Sequence, residues 1–278
     1  MEINWFPGHM AKSTREIENN LRCCDCVVYV LDCRAVRSCF NPNFDAMINR
    51  PVVYVLNKAD TAPETAVNEW LDKLSRGDDI AVAVDGTSAA CRKKLLAAIK
   101  RACSAVIEKQ HKRGALVHVR AIVVGVPNTG KTTVINSLCG KARLKTGNRA
   151  GVTRSAQWAR VDESLDILDT PGTLYPKITD KAVGENLAII GSVKDEVLDV
   201  TELGLALINK LNGIDEGILS SRYGCSVAGN AEGLESIARS RGFKLRGGEW
   251  DIERAAGALI DDFRKGRLGK IVLERAHI

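Results

Sequence analysis

No part of the chain approaches the roughly 20 consecutive apolar residues that a membrane-spanning helix requires. Its opening, Met1-Glu-Ile-Asn-Trp-Phe-Pro-Gly-His9, also lacks the basic stretch and apolar run of an exported protein. A membrane role is therefore not expected, and a cytoplasmic location is. Regular cysteine spacing is missing too. The nine cysteines are an odd number in a chain long enough to fold without staples, so reduced thiols are expected. Cys23, Cys24, Cys26 and Cys33 form the one dense group. Cys23 and Cys26 have C-x-x-C spacing, but no second ligand pair follows and Cys26 runs into the apolar Val27-Val-Tyr-Val-Leu31. Burial beside a strand is the expectation there, in place of metal binding. Internal repeats, low-complexity tracts and recognised RNA-binding signatures are absent as well.

What is present is 278 residues, 45% of them hydrophobic, enough for a core and room for two domains. Lys and Arg outnumber Asp and Glu by 40 to 34, a net charge of +6 that suits an anionic partner without identifying one. Three short β-branched runs stand out, at 27–31, 52–56 and 119–124. Each leads into polar or glycine-rich residues, as buried parallel strands do at their carboxyl ends. Helical stretches at 64–74 and 92–108 lie between them, so the pattern predicts a doubly wound α/β domain. Residues 165–169 read as a further strand, stopped by Thr170-Pro171-Gly172. Beyond Pro176 the texture changes: from about Lys181 apolar residues recur at helical spacing, as at Val193, Val197, Val200, Leu203, Leu207 and Ile208. A helical second domain is expected there.

The 119–124 strand runs into Gly125-Val-Pro127-Asn128-Thr129-Gly130-Lys131-Thr132 and then into the helical Thr133-Val-Ile-Asn-Ser-Leu138. This satisfies G-x-x-x-x-G-K-[ST] in its strand-loop-helix context. Such a loop wraps a phosphate with backbone N–H groups, Lys131 reaches the β- and γ-phosphates, and the Thr132 hydroxyl coordinates Mg²⁺. Asp169-Thr-Pro-Gly172 follows a strand some tens of residues later, where an Mg²⁺-linked carboxylate and a γ-phosphate-sensing glycine belong. Between them Thr153, in Gly151-Val-Thr153, is a candidate to complete the Mg²⁺ shell.

Earlier in the chain, the 52–56 run leads into Asn57-Lys58-Ala59-Asp60, an N-K-x-D at a strand's carboxyl end. An Asp carboxylate there accepts hydrogen bonds from guanine N1–H and N2–H₂. Adenine offers no such donor pair, so discrimination of roughly 10⁴-fold or more is within reach. Asn57 can brace the phosphate loop and the Lys58 stem can cover the base. A strand at 80–84 is followed by Asp85-Gly-Thr87-Ser88-Ala89, where a backbone N–H would meet guanine O6.

The order N-K-x-D, G-x-x-x-x-G-K-T, G-x-T, D-T-P-G resembles the circularly permuted GTPases, and closely the YlqF/RbgA ribosome-biogenesis group. Phe6-Pro7-Gly8-His9-Met10 resembles that group's amino-terminal signature, and Asp32-Cys33-Arg34 its D-x-R element. The segment 169–176 resembles its D-T-P-G-x-L-x-P run, and the segments 242–249 and 262–269 its carboxyl-terminal domain. The likeness implies a permuted Ras-like P-loop NTPase domain of three layers at 1–178, followed by a smaller all-α, RNA- or ribosome-binding domain at 179–278. It implies a GTPase that acts in large-subunit assembly as a nucleotide-dependent switch, with GTP or GDP, Mg²⁺ and K⁺ as cofactors. Its implied partners are the precursor of the large ribosomal subunit and rRNA, with the chain itself a monomer. It also implies that His9 swings toward the γ-phosphate and that Asn128 helps hold K⁺. The plain alternative for His9 is a surface or capping residue.

Departures are present. Val36-Arg-Ser-Cys-Phe40 before Asn41-Pro42 differs from the group's usual run. Thr173 stands where Ras-type proteins carry a water-positioning Gln and is too short for that task, so hydrolysis needs another group, for which His9 is the candidate. Arg241, Lys244, Arg246, Arg254, Arg264, Lys265, Arg267, Lys270 and Arg275 give the second domain a basic, mixed-sign surface. A signalling or translation GTPase with a protein partner, and a P-loop small-molecule kinase, are the competing readings.

Overall fold

The computed structural model describes residues 8–140, 156–193 and 198–276. A six-stranded sheet of order β3-β2-β1-β4-β6-β5 forms its centre. β1 (Cys26–Asp32), β2 (Val52–Asn57), β3 (Ile80–Ala83), β4 (Val119–Val124) and β6 (Leu165–Asp169) run parallel, while β5 (Gln157–Arg160) is antiparallel at one edge. Counted from β4, the phosphate-loop strand, the sheet contains the same neighbours in a rotated chain order, which is the permutation expected from the motif sequence.

Every residue of β1 is buried, as a central parallel strand covered on both faces demands. The period of two divides it cleanly. Val27, Tyr29 and Leu31 join one core with α1 (Gly8–Leu21) and α3 (Glu64–Leu74), and Cys26, Val28 and Val30 join another under α4 (Ala89–Ala102) and α6 (Lys131–Cys139). The single helix expected at 92–108 is two, α4 and α5 (Ser104–Lys112), broken at Cys103. Cys24, Cys26 and Cys33 are buried as free thiols and Cys23 is exposed.

Among the described residues five helices follow: α7 (Lys181–Ile189), α8 (Val200–Ile214), α9 (Gly217–Tyr223), α10 (Ala231–Arg241) and α11 (Ile252–Arg264). Asp180, Asp199, Asn230 and Asp251 each accept a backbone N–H at a helix start, which explains where four of them begin. Leu203, Leu207, Leu211, Leu259 and Phe263 are buried in the same continuous core that covers the first face of the sheet. Beyond α11 the chain returns to the α/β half. Ile271 N donates to Thr61 O at 3.0 Å, Leu273 N to Arg34 O at 2.7 Å, and Glu274 accepts from Ser38 and Asn186. Among the described residues no helix is long and apolar enough to cross a membrane.

Candidate nucleotide site

Strand register assembles the motifs. Asp32 ends β1 level with Asn57 at the end of β2, and Asp169 ends β6 level with Val123 of β4, so the loops that follow emerge side by side at the carboxyl edge. In the loop between β4 and α6, Asn128 and Gly130 are left-handed, with φ of 61° and 91°. Such residues turn successive N–H groups to one side, and α6 adds the positive end of its dipole.

Asn57 ties three segments together. Its Nδ2 donates to Thr129 O at 2.8 Å, and its Oδ1 accepts from Gly86 N at 2.9 Å. A side chain at Gly130 would run into this amide, which is why glycine stands there. Lys58 donates from Nζ to Asp32 Oδ2 at 2.7 Å and to Asn128 O at 3.0 Å. Asp60 is exposed on the short 3-10 turn that follows. In the 85–89 segment Asp85 Oδ1 accepts from the N–H and hydroxyl of Thr87, and Ser88 caps α4, leading into Ala89.

Lys131 is buried, its Nζ donating to Gly125 O at 3.1 Å and Val126 O at 2.8 Å. Burial pushes its pKa down to about 8, with Asp169 opposing. The Thr132 hydroxyl lies 3.2 Å from Asp169 Oδ2, so the two Mg²⁺ candidates on separate motifs meet. Thr133, next on α6, is half-buried. A Cβ at Gly172 would sit 2.8 Å from Lys131 Nζ and 2.6 Å from Pro127 Cα, so the D-T-P-G loop closes against the phosphate loop only because residue 172 is glycine. Thr173 N donates to Gly125 O at 3.3 Å, and the residue is wholly buried, away from any solvent water it would need to orient.

Thr153 and the side chain of His9 lie outside the described residues. Asn128, the K⁺ candidate, donates its side-chain amide to Gly191 O at 2.6 Å. Arg264 is turned inward, onto the carbonyls of Ala188 and Ile189, in contrast to the surface role expected of it.

Several residues outside the nucleotide motifs support the site. Burial opposes ionisation of Asp32, yet Arg34 and Lys58 outweigh it and hold the carboxyl well below the usual carboxylate range. Arg34 then reaches Phe263 O and Arg264 O, both at 3.1 Å. Asn41 caps α2 (Pro42–Met47) and donates to Thr173 O at 3.3 Å, so the Asn41-Pro42 pair that follows the departing run is bonded to the residue after the D-T-P-G loop. Ser192 donates to Pro127 O at 2.6 Å. Only the D-x-R spacing signals any of this in the sequence.

A largely parallel sheet with a phosphate loop, an N-K-x-D turn and a D-T-P-G loop converging at one edge defines a P-loop GTPase. A family model described as 50S ribosome-binding GTPase matches residues 120–222. Ribosome biogenesis GTPase A of Bacillus cereus is 34% identical over 99% of this chain and 94% of its own length. That of Thermotoga maritima is 30% identical over 98% and 94%. The GNP-bound YlqF of T. maritima is similar in structure, with a TM-score of 0.65 at 26% identity, covering 95% of this chain and 98% of that one. A GDP-bound YlqF gives 0.68 at 28%, covering 95% and 100%. The chain belongs to the ribosome biogenesis GTPase A family.

Proposed function

We propose that this chain is a GTP-hydrolysing factor of ribosome biogenesis whose nucleotide state controls its engagement with the precursor of the large subunit. The observation that carries the reading is the Asn57 bridge, which makes the N-K-x-D turn, the 85–89 segment and the phosphate loop one construction. A phosphate-transferring kinase has no need of that brace or of an exposed Asp60 beside it.

Asp60 would read the guanine donor edge, the Lys58 stem would cover the base, and the N–H groups of 125–133 with Lys131 would hold the phosphates. The donor set fits Mg²⁺: Thr132, Asp169 and Thr153 are hard oxygen ligands that leave room for phosphate oxygens. Bound there, the ion would neutralise charge developing on the transferred phosphoryl group. Asn128 is the residue for K⁺. Thr173 is shut away, which leaves His9 as the water-orienting group.

The helical part, 179–278, is the RNA-facing unit. Its arginines are not equivalent. Arg222, Arg241 and Arg267 all lean on buried Asp262, at 2.8, 3.3 and 2.6 Å, and so are partly neutralised. Lys244, Arg246 and Arg254 are exposed around the turn that carries Trp250, and are better placed for phosphates. The chain acts as a monomer in the cytoplasm. Co-sedimentation with large-subunit precursors, with GDP and with a non-hydrolysable GTP analogue, tests the reading. Tighter association in the triphosphate state is expected, and equal association in both would refute the switch.

A further inference from the structure

The phosphate loop is held from outside as well as from within. α7 ends at Ile189, and the chain reverses through Gly191, at a φ of 83°, into Ser192, which is fully buried. Two bonds cross from this turn to the loop. Ser192 Oγ donates to Pro127 O, and Asn128 Nδ2 donates to Gly191 O, both at 2.6 Å. Behind the turn stands Arg264, the last residue of α11, donating to Ala188 O at 2.8 Å and Ile189 O at 2.9 Å. A Cβ at Gly191 would lie 3.3 Å from that guanidinium, so both the φ and the space call for glycine.

The bonds close into a circuit. The Arg264 carbonyl accepts from Arg34, Arg34 pairs with Asp32, Asp32 accepts from Lys58, and Lys58 donates back to the Asn128 carbonyl. Asn128 is thus gripped at its side chain and its carbonyl while it holds a left-handed backbone. Asparagine enters that region more readily than most non-glycine residues, and the two bonds hold it there. The grip matters chemically, because the left-handed turns at 128 and 130 are what aim the loop's N–H groups at an anion. Nothing in the nucleotide chemistry above uses Gly191, Ser192 or Arg264.

We propose that the Gly191–Ser192 turn, pinned by Arg264, is a latch on the phosphate loop. Ser192 and Arg264 are positioning residues that hold the Pro127–Asn128 peptide in its phosphate-binding form, so that the end of α11 and a bound nucleotide stabilise each other. The inference rests on the nucleotide reading of the site. It differs from coupling through the chain that follows Gly172, because the latch acts on the loop common to di- and triphosphate binding and works with GDP as with GTP.

The test compares the full chain with Ser192→Ala, Arg264→Ala and Arg264→Lys. Affinities for GDP, a non-hydrolysable GTP analogue and guanosine are measured, together with thermal unfolding and hydrogen exchange at the Gly191 and Ser192 amides. Those amides donate to Ala188 O and Leu187 O within the turn. Ser192→Ala is expected to weaken GDP and the analogue by roughly 3–10-fold, the range one buried hydrogen bond supports. Guanosine affinity stays at the parental value. Arg264→Ala weakens both nucleotides further, and Arg264→Lys recovers part of the loss. GDP slows exchange at the two amides in the parent, and does so less in Ser192→Ala. Parental GDP affinity in Ser192→Ala overturns the latch, as does an equal loss for guanosine or exchange that ignores GDP. Should Arg264→Ala fail to fold, Ser192→Ala decides the question alone. A parent chain that binds no GDP overturns the site reading and the latch together, whereas tight parental binding with unaffected variants removes only the latch.

Discussion

Arg34 and Asp32 face each other across one intervening cysteine and form a two-point ion pair, Nε to Oδ1 at 2.9 Å and Nη2 to Oδ2 at 2.8 Å, with both side chains closed off from solvent. Lys58 adds a third contact to the same carboxylate. Arg34→Met would leave Asp32 buried with Lys58 as its one remaining cation. The expected loss is about 3 kcal/mol, or a fall in Tm of roughly 6–12 °C. The sign with pH also follows. Asp32 ionises below its unfolded value near 3.9, so its contribution is present above about pH 4 and lost as pH falls toward the folded value. A stability-against-pH series should show a shallower acid decline in Arg34→Met, and identical acid limbs would contradict the pairing.

Lys131 titrates at about 8 because it is buried, and a bound polyphosphate would favour its ammonium form. Nucleotide binding above pH 8 should therefore take up a proton, and affinity should decline as pH rises through that value. Calorimetry of GDP binding at pH 8.5 in buffers of different ionisation enthalpy measures the uptake. No uptake at pH 8.5, or uptake no greater there than at pH 6.5, would remove Lys131 as its source.

Asp60→Asn should weaken GTP by roughly 10–150-fold, the worth of hydrogen bonds to a charged group, and shift preference toward xanthosine triphosphate. Unchanged GTP affinity would remove Asp60 from base recognition.

Lys131→Ala should abolish tight triphosphate binding, while His9→Ala should leave binding in place and slow turnover, since one acts in the ground state and the other in the transition state. Exchange of Na⁺ for K⁺ should raise the parental rate. Single-turnover hydrolysis with large subunits present checks both. Parental turnover in His9→Ala would make that histidine structural.

Reversing the charges of Lys244 and Arg246 together should weaken subunit binding, flatten its salt dependence by about two in log–log slope, and leave GTP affinity of the free chain alone. Arg264→Glu should disturb nucleotide binding as well, because its guanidinium serves backbone carbonyls near the phosphate loop. Filter binding across a salt series separates the two.

The strands that build the site were legible because a parallel strand buried on both faces is written as an unbroken apolar run, as in Val27-Val-Tyr-Val-Leu31. The loops were legible because Gly130 and Gly172 stand where no side chain fits. β5 is not legible, since Gln157-Trp-Ala-Arg160 is an edge strand with one buried residue and no apolar run. The break at Cys103 escaped because both flanks are good helix formers. Arg34 and Phe263 meet across 229 positions, a distance at which no spacing rule operates. Ser192 looked like any polar residue after a helix. The supports around the site depend on tertiary contacts, whereas its motifs depend on local chemistry.

The return of residues 271–274 to Arg34, Ser38 and Thr61 sets an order of events at birth. The N-K-x-D turn is synthesised early, the phosphate loop in the middle, and the segment that pins Thr61, Arg34 and Ser38 roughly 100 residues after Asp169. At about 5–20 residues per second that interval lasts on the order of 5–20 s. A nascent chain of this protein therefore carries all its nucleotide motifs for several seconds before the segment that pins Arg34, Ser38 and Thr61 has been made.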